Sequence, residues 1–231
     1  MEELRKIPVF ASLSDDDLKE ISALMSAQAF KKKMEIFSEG DNPDWFYILL
    51  EGKVKITKLS QDGREIILEV ISPGEFFGGF AVIKGFPYPA NAVTMEKSRI
   101  LKLSRRDIMK IIEKFPGVMY AITSNLGDRT REMHDTMKNI ALERVDSRIA
   151  SLLLKLAERT VEKEDIGKPG EAMQIDMKLT KQDIAEMVGT TVETAIRVMS
   201  RFRKAGFLAD DSGRIIIKKP AALRNIVSPD Y

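Results

Sequence analysis

Cysteine is absent from the 231 residues, and histidine occurs once, as His134. No disulfide, thiolate-bound zinc, iron–sulfur cluster or cysteine nucleophile is therefore available. A multi-histidine metal site is excluded as well, and any Ser/His/Asp set would have to pass through that single imidazole. No stretch approaches the roughly 18 consecutive apolar residues of a membrane span, and the opening MEELRKIPVF lacks the apolar core of a secretory signal. The expectation is a cytoplasmic protein with no membrane partner. An excess of one charge is also missing: 37 Lys+Arg against 35 Asp+Glu leave a net +2, so attraction to a polyanion must come from how charges are distributed. With 44% hydrophobic residues, the chain is neither disordered nor collagen-like, and its length suits one or two domains.

The periodicity of what is present changes twice. LSDDDLKEI places Ser14 three residues before Asp17 and just ahead of Leu18, Ile21 and Leu24, a capping box opening an amphipathic helix. From Phe30 to about Arg105, short apolar runs (MEIF, WFYILL, KVKITKL, EIILEVI, ILKL) are separated by Gly40-Asp41-Asn42-Pro43, Glu51-Gly52, Asp62-Gly63 and Ser72-Pro73-Gly74. Short strands at that spacing predict a small antiparallel β-roll. Pro116 then suits the first position of a long helix running to about Ile140. Met119, Ile122, Leu126, Arg129, Met133, Thr136 and Ile140 fall on it in alternating steps of three and four, the spacing of a coiled-coil seam. The same stripe suits packing against the roll within one chain, and one face could serve each role. A helix from Asp146 to about Arg159 follows, then the polar loop EKEDIGKPGEA.

LTKQDIAEMVGTTVETAIRVMSRFRKAGFL is the most informative stretch. Thr180 can cap a short helix bearing Ile184, Ala185 and Val188, and Gly189 permits a left-handed turn. A second helix then runs from about Val192 to Ala205. This is a helix-turn-helix. Ala195, Val198, Met199 and Phe202 form the apolar face of the second helix, leaving Glu193, Ile196, Arg197 and Ser200 opposite. Arg197 can donate twice to guanine O6 and N7, and Glu193 can accept from cytosine N4. Thr190, Thr191 and Thr194 are ready to touch phosphates and Arg201, Arg203 and Lys204 follow on the same helix, so the expected DNA contacts are Thr180, Thr190, Thr191, Glu193, Thr194, Ile196, Arg197, Ser200, Arg201 and Lys204. An exposed i, i+4 ion pair is the plain alternative for Glu193 and Arg197. FLADDSGRIIIKK reads as a hairpin turning at Asp211-Ser212-Gly213, a wing.

The order roll, long helix, winged helix-turn-helix, together with GTTVETAIR, resembles the Crp/Fnr superfamily of bacterial transcription regulators over nearly the whole chain. The resemblance implies an α+β architecture: an N-terminal antiparallel β-roll of the cyclic-nucleotide-binding, jelly-roll type over 1–115, a dimerisation helix and hinge over 116–145, and a DNA-binding domain over 146–231. It implies a homodimer on a palindromic double-stranded operator, a small-molecule effector, and RNA polymerase as a partner. Glu193 and Arg197 are carried over as base readers. Val192-Glu193-Thr194 looks closer to the oxygen- and nitric-oxide-responsive branches than to the cyclic AMP receptor, while Ile196 departs from the serine of the fumarate-nitrate reductase regulator.

Cyclic AMP receptors carry a G-E-L…R-S-A cassette that the segment PGEFFGGFAVIKGFPYPANAVT only partly resembles. The glutamate position holds Gly79. R-S-A falls on Tyr88-Pro89-Ala90 or, with a one-residue gap, on Pro89-Ala90-Asn91, and neither supplies an arginine. A buried cyclic phosphate would lack its cation, so cyclic AMP is not the expected effector, a canted mode on Lys84 aside. Around Phe76, Phe77, Gly78, Gly79, Phe80, Phe86, Tyr88, Pro89, Ala90 and Asn91 the expected pocket is apolar, joined from the long helix by Met133 and His134. Those aromatics suit plain roll core as well. Haem is one candidate cofactor, with His134 as axial ligand; a half-exposed histidine beside the seam is the alternative, and no other metal site is expected. Competing functions are a cyclic-nucleotide-responsive regulator and a ligand-binding module acting through protein contacts. An enzyme finds no support, since Asp15-Asp16 lie on an exposed cap and Gly78-Gly79 lack the context of a phosphate loop. The effector, the regulated genes and the sign of regulation are not written in the sequence.

Overall fold

Ser14 closes the expected capping box: its hydroxyl accepts from the Asp17 amide at 3.3 Å while Asp17 Oδ2 accepts from the Ser14 amide at 3.3 Å. The helix so started is α2 (Asp15–Ala23), which follows a short α1 (Glu2–Arg5) and a 3-10 turn at Pro8–Phe10. The computed structural model describes residues 2–61, 63–158 and 172–227. Asp62, Arg159 and, except for Ala172, the polar loop expected over 162–172 lie outside the described residues.

Eight strands follow: β1 (Met25–Phe30), β2 (Glu35–Phe37), β3 (Trp45–Glu51), β4 (Val54–Leu59), β5 (Glu65–Ile71), β6 (Phe76–Phe77), β7 (Asn91–Thr94) and β8 (Ser98–Ser104). They form two four-stranded antiparallel sheets in the orders β1-β8-β3-β6 and β2-β7-β4-β5. This is the expected roll. Phe46, Ile48, Leu49, Val54, Ile71 and Ile100 are buried in the core of this unit, each contributing about 1.5–3 kcal/mol of transfer free energy. A short helix, α3 (Gly79–Lys84), interrupts the strands, and α4 (Arg105–Lys114) follows, capped by Ser104 on the Asp107 amide at 3.1 Å.

Pro116 is the first residue of α5 (Pro116–Leu142). The remainder comprises α6 (Val145–Glu158), β9 (Met173–Gln174), α7 (Lys181–Val188), α8 (Val192–Lys204), β10 (Leu208–Asp211), β11 (Arg214–Ile217) and α9 (Pro220–Val227). β9, too short to leave a periodic signal, adds a third strand to the wing, in the order β10-β11-β9. Two compact units are bounded by Met1–Glu132 and Met133–Tyr231, so the helix set apart at 116–145 by its sequence is divided between them.

Candidate nucleic-acid interface and effector pocket

Thr180 caps α7 through a second reciprocal box, accepting from the Asp183 amide at 3.0 Å while Asp183 Oδ2 accepts from the Thr180 amide at 2.8 Å. Gly189 stops that helix at φ +65, and the Thr190 amide turns back onto Ala185 O at 3.0 Å. Thr191 starts α8, accepting from the Thr194 amide at 3.3 Å and donating to Thr194 Oγ1 at 3.1 Å. Of the threonines expected at the DNA, the side chains of Thr180, Thr191 and Thr194 are thus held by local caps, at the surface or half-buried. Ala195, Val198, Met199 and Phe202 are buried, which turns Glu193, Ile196 and Arg197 outward and leaves Ser200 half-buried. No ion pair or hydrogen bond joins the side chains of Glu193 and Arg197 to each other or to another described residue.

The cations of the last turn are arranged differently. Arg201 Nη2 donates to Asp146 Oδ2 at 2.9 Å, and Arg203 grips Asp210 on β10 with Nε at 2.6 Å and Nη2 at 2.9 Å. Arg203 is thus a strut between α8 and the wing. Lys181 lies close by, its ammonium held below the usual range by burial and by the Arg203 charge. Lys204 is exposed. The wing turns at Ser212 (φ +50) and Gly213 (φ +82), the two positive values a tight two-residue hairpin needs. Sequence reasoning missed Asp146, because nothing local marks a carboxylate that meets an arginine 55 residues later.

In the roll, the aromatics expected to line a pocket pack ring on ring. Phe37 and Tyr88 stack with centroids 3.9 Å apart, Tyr47 and Phe77 at 5.2 Å, Phe46 and Phe76 at 5.2 Å. Tyr88 Oη donates to Trp45 O at 2.6 Å and accepts from the Trp45 amide at 3.2 Å. Burial pushes the Tyr88 phenol up to about 12 and raises Tyr47 as well, with Tyr88 itself the next cause there. Ala90 is buried and Pro89 exposed, and Asn91 Oδ1 accepts from the Glu39 amide at 2.8 Å. Phe80 corrects the expectation: it is 48% exposed, edge-on to Phe86 and outside the stack. Gly78 (φ +72) caps α3, and a Cβ on Gly79 would stand 2.6 Å from Phe46 Cε2. The space a side chain would need at the glutamate position of the cyclic AMP cassette is taken by an aromatic ring.

Two seam positions on α5 are corrected. Ile122 is 1% exposed, buried in the core of its own roll. Arg129 also faces the roll: Nη2 donates to Phe76 O at 2.6 Å, Nε lies 3.1 Å from Glu69 Oε1, and the guanidinium sits 5.1 Å from the Phe76 ring centre. Between them Leu126 packs partly against that core and Met119 is half-buried, whereas Thr123, Thr130, Met133, Thr136, Met137 and Ile140 are exposed. His134 is exposed among Met133, Asp135, Met137 and Lys138. That surrounding gives no enclosed apolar site for a porphyrin, and among the described residues no cluster of His, Asp and Glu could hold a metal ion.

Comparison with known proteins agrees with this geometry. Residues 27–115 match the cyclic nucleotide-binding domain and residues 147–226 the Crp-like helix-turn-helix domain. The chain is 26% identical over 214 residues to the CRP-like cAMP-activated global transcriptional regulator of Mycobacterium tuberculosis, covering 93% of each. It is 25% identical over 225 residues to the nitrogen fixation regulation protein FixK of Bradyrhizobium diazoefficiens, covering 97% of this chain and 92% of that one. The solved structure of FixK2 from Bradyrhizobium japonicum shares the fold with a TM-score of 0.76 at 21% identity, over 90% of this chain and 99% of that one. A roll of the cyclic nucleotide-binding type and a Crp-like helix-turn-helix on one chain define a DNA-binding transcription regulator. The chain belongs to the Crp/Fnr family. Among the described residues no helix is long and apolar enough to cross a membrane.

Proposed function

We propose that this regulator acts as a homodimer that reads an inverted-repeat operator with α8, under the control of a small effector other than cyclic AMP. The observation that carries the DNA reading is the outward, unpaired couple Glu193 and Arg197 on a helix whose opposite face is buried. A guanidinium and a carboxylate one turn apart suit guanine and cytosine edges in the major groove. Dimerisation is supported by the exposed apolar side chains Met133, Met137 and Ile140 on one stretch of α5, an uncommon presentation unless another surface covers them. RNA polymerase is the natural further partner of such a regulator.

Against cyclic AMP stand the absence of arginine between Gly78 and Thr94 and the close approach of Phe46 to Gly79. A buried phosphate there would remain without its counter-charge. Among the described residues, Thr57 Oγ1 and Asn125 Oδ1 are buried in the N-terminal unit without a hydrogen-bond partner. His134 is too exposed to make haem part of this proposal. The test is fluorescence anisotropy on a duplex with two TGA-containing half-sites about 34 Å apart, against the same duplex with one half-site scrambled. Loss of at least tenfold in affinity on scrambling is expected; equal binding would refute dimeric reading. Calorimetry with cyclic AMP should show no heat of binding at physiological concentration.

A further inference from the structure

Arg197 and Arg201 are four residues apart on α8, so both lie along the stripe that the buried face turns outward. Yet of the two only Arg197 is unpaired among the described residues. The Arg201 guanidinium is 59% exposed and meets Asp146 Oδ2 at 2.9 Å, while Arg144 Nε lies 3.5 Å from Asp146 Oδ1. Asp146 stands in the first turn of α6, just past the junction with α5, and its Oδ1 also accepts from the Ser147 amide at 3.2 Å. One carboxylate therefore holds its helix start and an arginine of the recognition helix together.

We propose that Asp146 is a specificity-determining residue that withholds Arg201 from the DNA backbone. An exposed ion pair contributes little to stability, so fold maintenance is a weak reason for the contact. Its effect on DNA binding is larger. An arginine on a phosphate displaces a condensed counterion and strengthens binding to every sequence alike, steepening the salt dependence by about 0.9 unit. Discrimination is the ratio of specific to non-specific affinity, so a cation released to the backbone helps the competing genome as much as the operator. By holding Arg201, Asp146 lowers sequence-independent affinity and leaves base reading by Arg197 untouched. The inference rests on the DNA-binding reading of the helix-turn-helix but not on any particular operator, because its measurement uses duplex of arbitrary sequence.

The experiment is titration of a scrambled 30-base-pair duplex at several salt concentrations with the full chain, its Asp146→Asn and Arg201→Gln variants, and the double variant. Asparagine keeps the acceptor for the Ser147 amide and is itself a good helix-start residue. Asp146→Asn is expected to bind about three- to tenfold more tightly, with a salt slope steeper by about one unit. Arg201→Gln alone should match the wild type within about twofold, and the double variant should return to the wild-type slope. The proposal is overturned if Arg201→Gln alone flattens the slope by about one unit, since Arg201 would then already sit on a phosphate. A gain that survives in the double variant, or no gain in Asp146→Asn, overturns it equally. Failure of the wild type to bind any duplex in a salt-dependent way would instead remove the DNA-binding reading itself. Should Asp146→Asn not fold, the Arg201→Gln slope alone still decides.

Discussion

Arg197 and Lys204 are both exposed cations of one helix, and their positions give them different tasks. Arg197 lies near the start of α8 beside Glu193, where a recognition helix meets base edges. Lys204 ends the helix, the position expected to meet phosphate. Arg197→Ala should therefore cost about 1–3 kcal/mol per half-site and relax preference at one guanine, in the expected TGA-like core. Lys204→Ala should weaken all sequences alike and flatten the salt dependence by about one unit. Affinities for a panel of single-base operator variants at fixed salt separate the two, and a uniform loss in Arg197→Ala would reduce that residue to a phosphate clamp. In the N-terminal unit, Gly79 leaves no room for a side chain: its missing Cβ makes space for the Phe46 ring. Gly79→Glu should not create a cyclic AMP site but should destabilise the roll by about 1–3 kcal/mol through overpacking, seen as a lowered melting temperature. A variant as stable as the wild type would mean the ring yields freely.

At the level of whole elements, α5 divides a single stripe along its length. Ile122, Leu126 and Arg129 turn toward the roll, whereas Met133, Met137 and Ile140 are left outward. Replacing Met133 and Met137 together by glutamate should yield folded monomers with weakened affinity for the inverted repeat, because exposed positions tolerate substitution within about 0.5 kcal/mol. Ile122→Asp should instead unfold the sensory unit. Sedimentation with circular dichroism distinguishes these outcomes, and an unchanged dimer in the methionine variant would refute the seam. The same helix shows what a sequence discloses. Its start at Pro116 was legible, as were the boxes at Ser14 and Thr180, the stop at Gly189 and the turn at Ser212-Gly213, because each depends on residues within one turn of the chain. What covers each part of its stripe was not, since heptad spacing records only that residues are shielded, and Ile122 is shielded by the roll. Arg201 and Arg203 looked like two free cations for the same reason: Asp146 and Asp210 meet them only in three dimensions. The aromatic run Phe76 to Tyr88 was legible as apolar, but the outward turn of Phe80 follows from the phase of a short helix that left no periodic mark.

For the molecule as a whole, the sensory unit is held by a core whose most sensitive polar members are two phenols. Tyr88 is buried against Phe37 with its hydroxyl shared between the Trp45 carbonyl and amide, and Tyr47 lies in the same stack. Burial raises both, Tyr88 to about 12, while an unfolded chain releases phenolic protons near pH 10. A raised folded-state value means that the folded protein keeps protons the unfolded chain gives up. Stability from this source is therefore fully present below about pH 10 and declines as pH rises from about 10 to about 12, by about 1.4 kcal/mol per pH unit for each phenol. Thermal melts between pH 8 and 11 should show the transition of the sensory unit falling above about pH 10. Lysines deprotonate in the same range, so the discriminating comparison is Tyr88→Phe. That variant starts less stable, having lost the hydroxyl bonds to Trp45, but one of the two phenols no longer titrates, and its decline above pH 10 should be shallower by about one proton's worth of slope. A parallel decline in the two proteins would show that the phenol of Tyr88 ionises without unfolding, and that the aromatic stack is open to water rather than sealed as its burial implies.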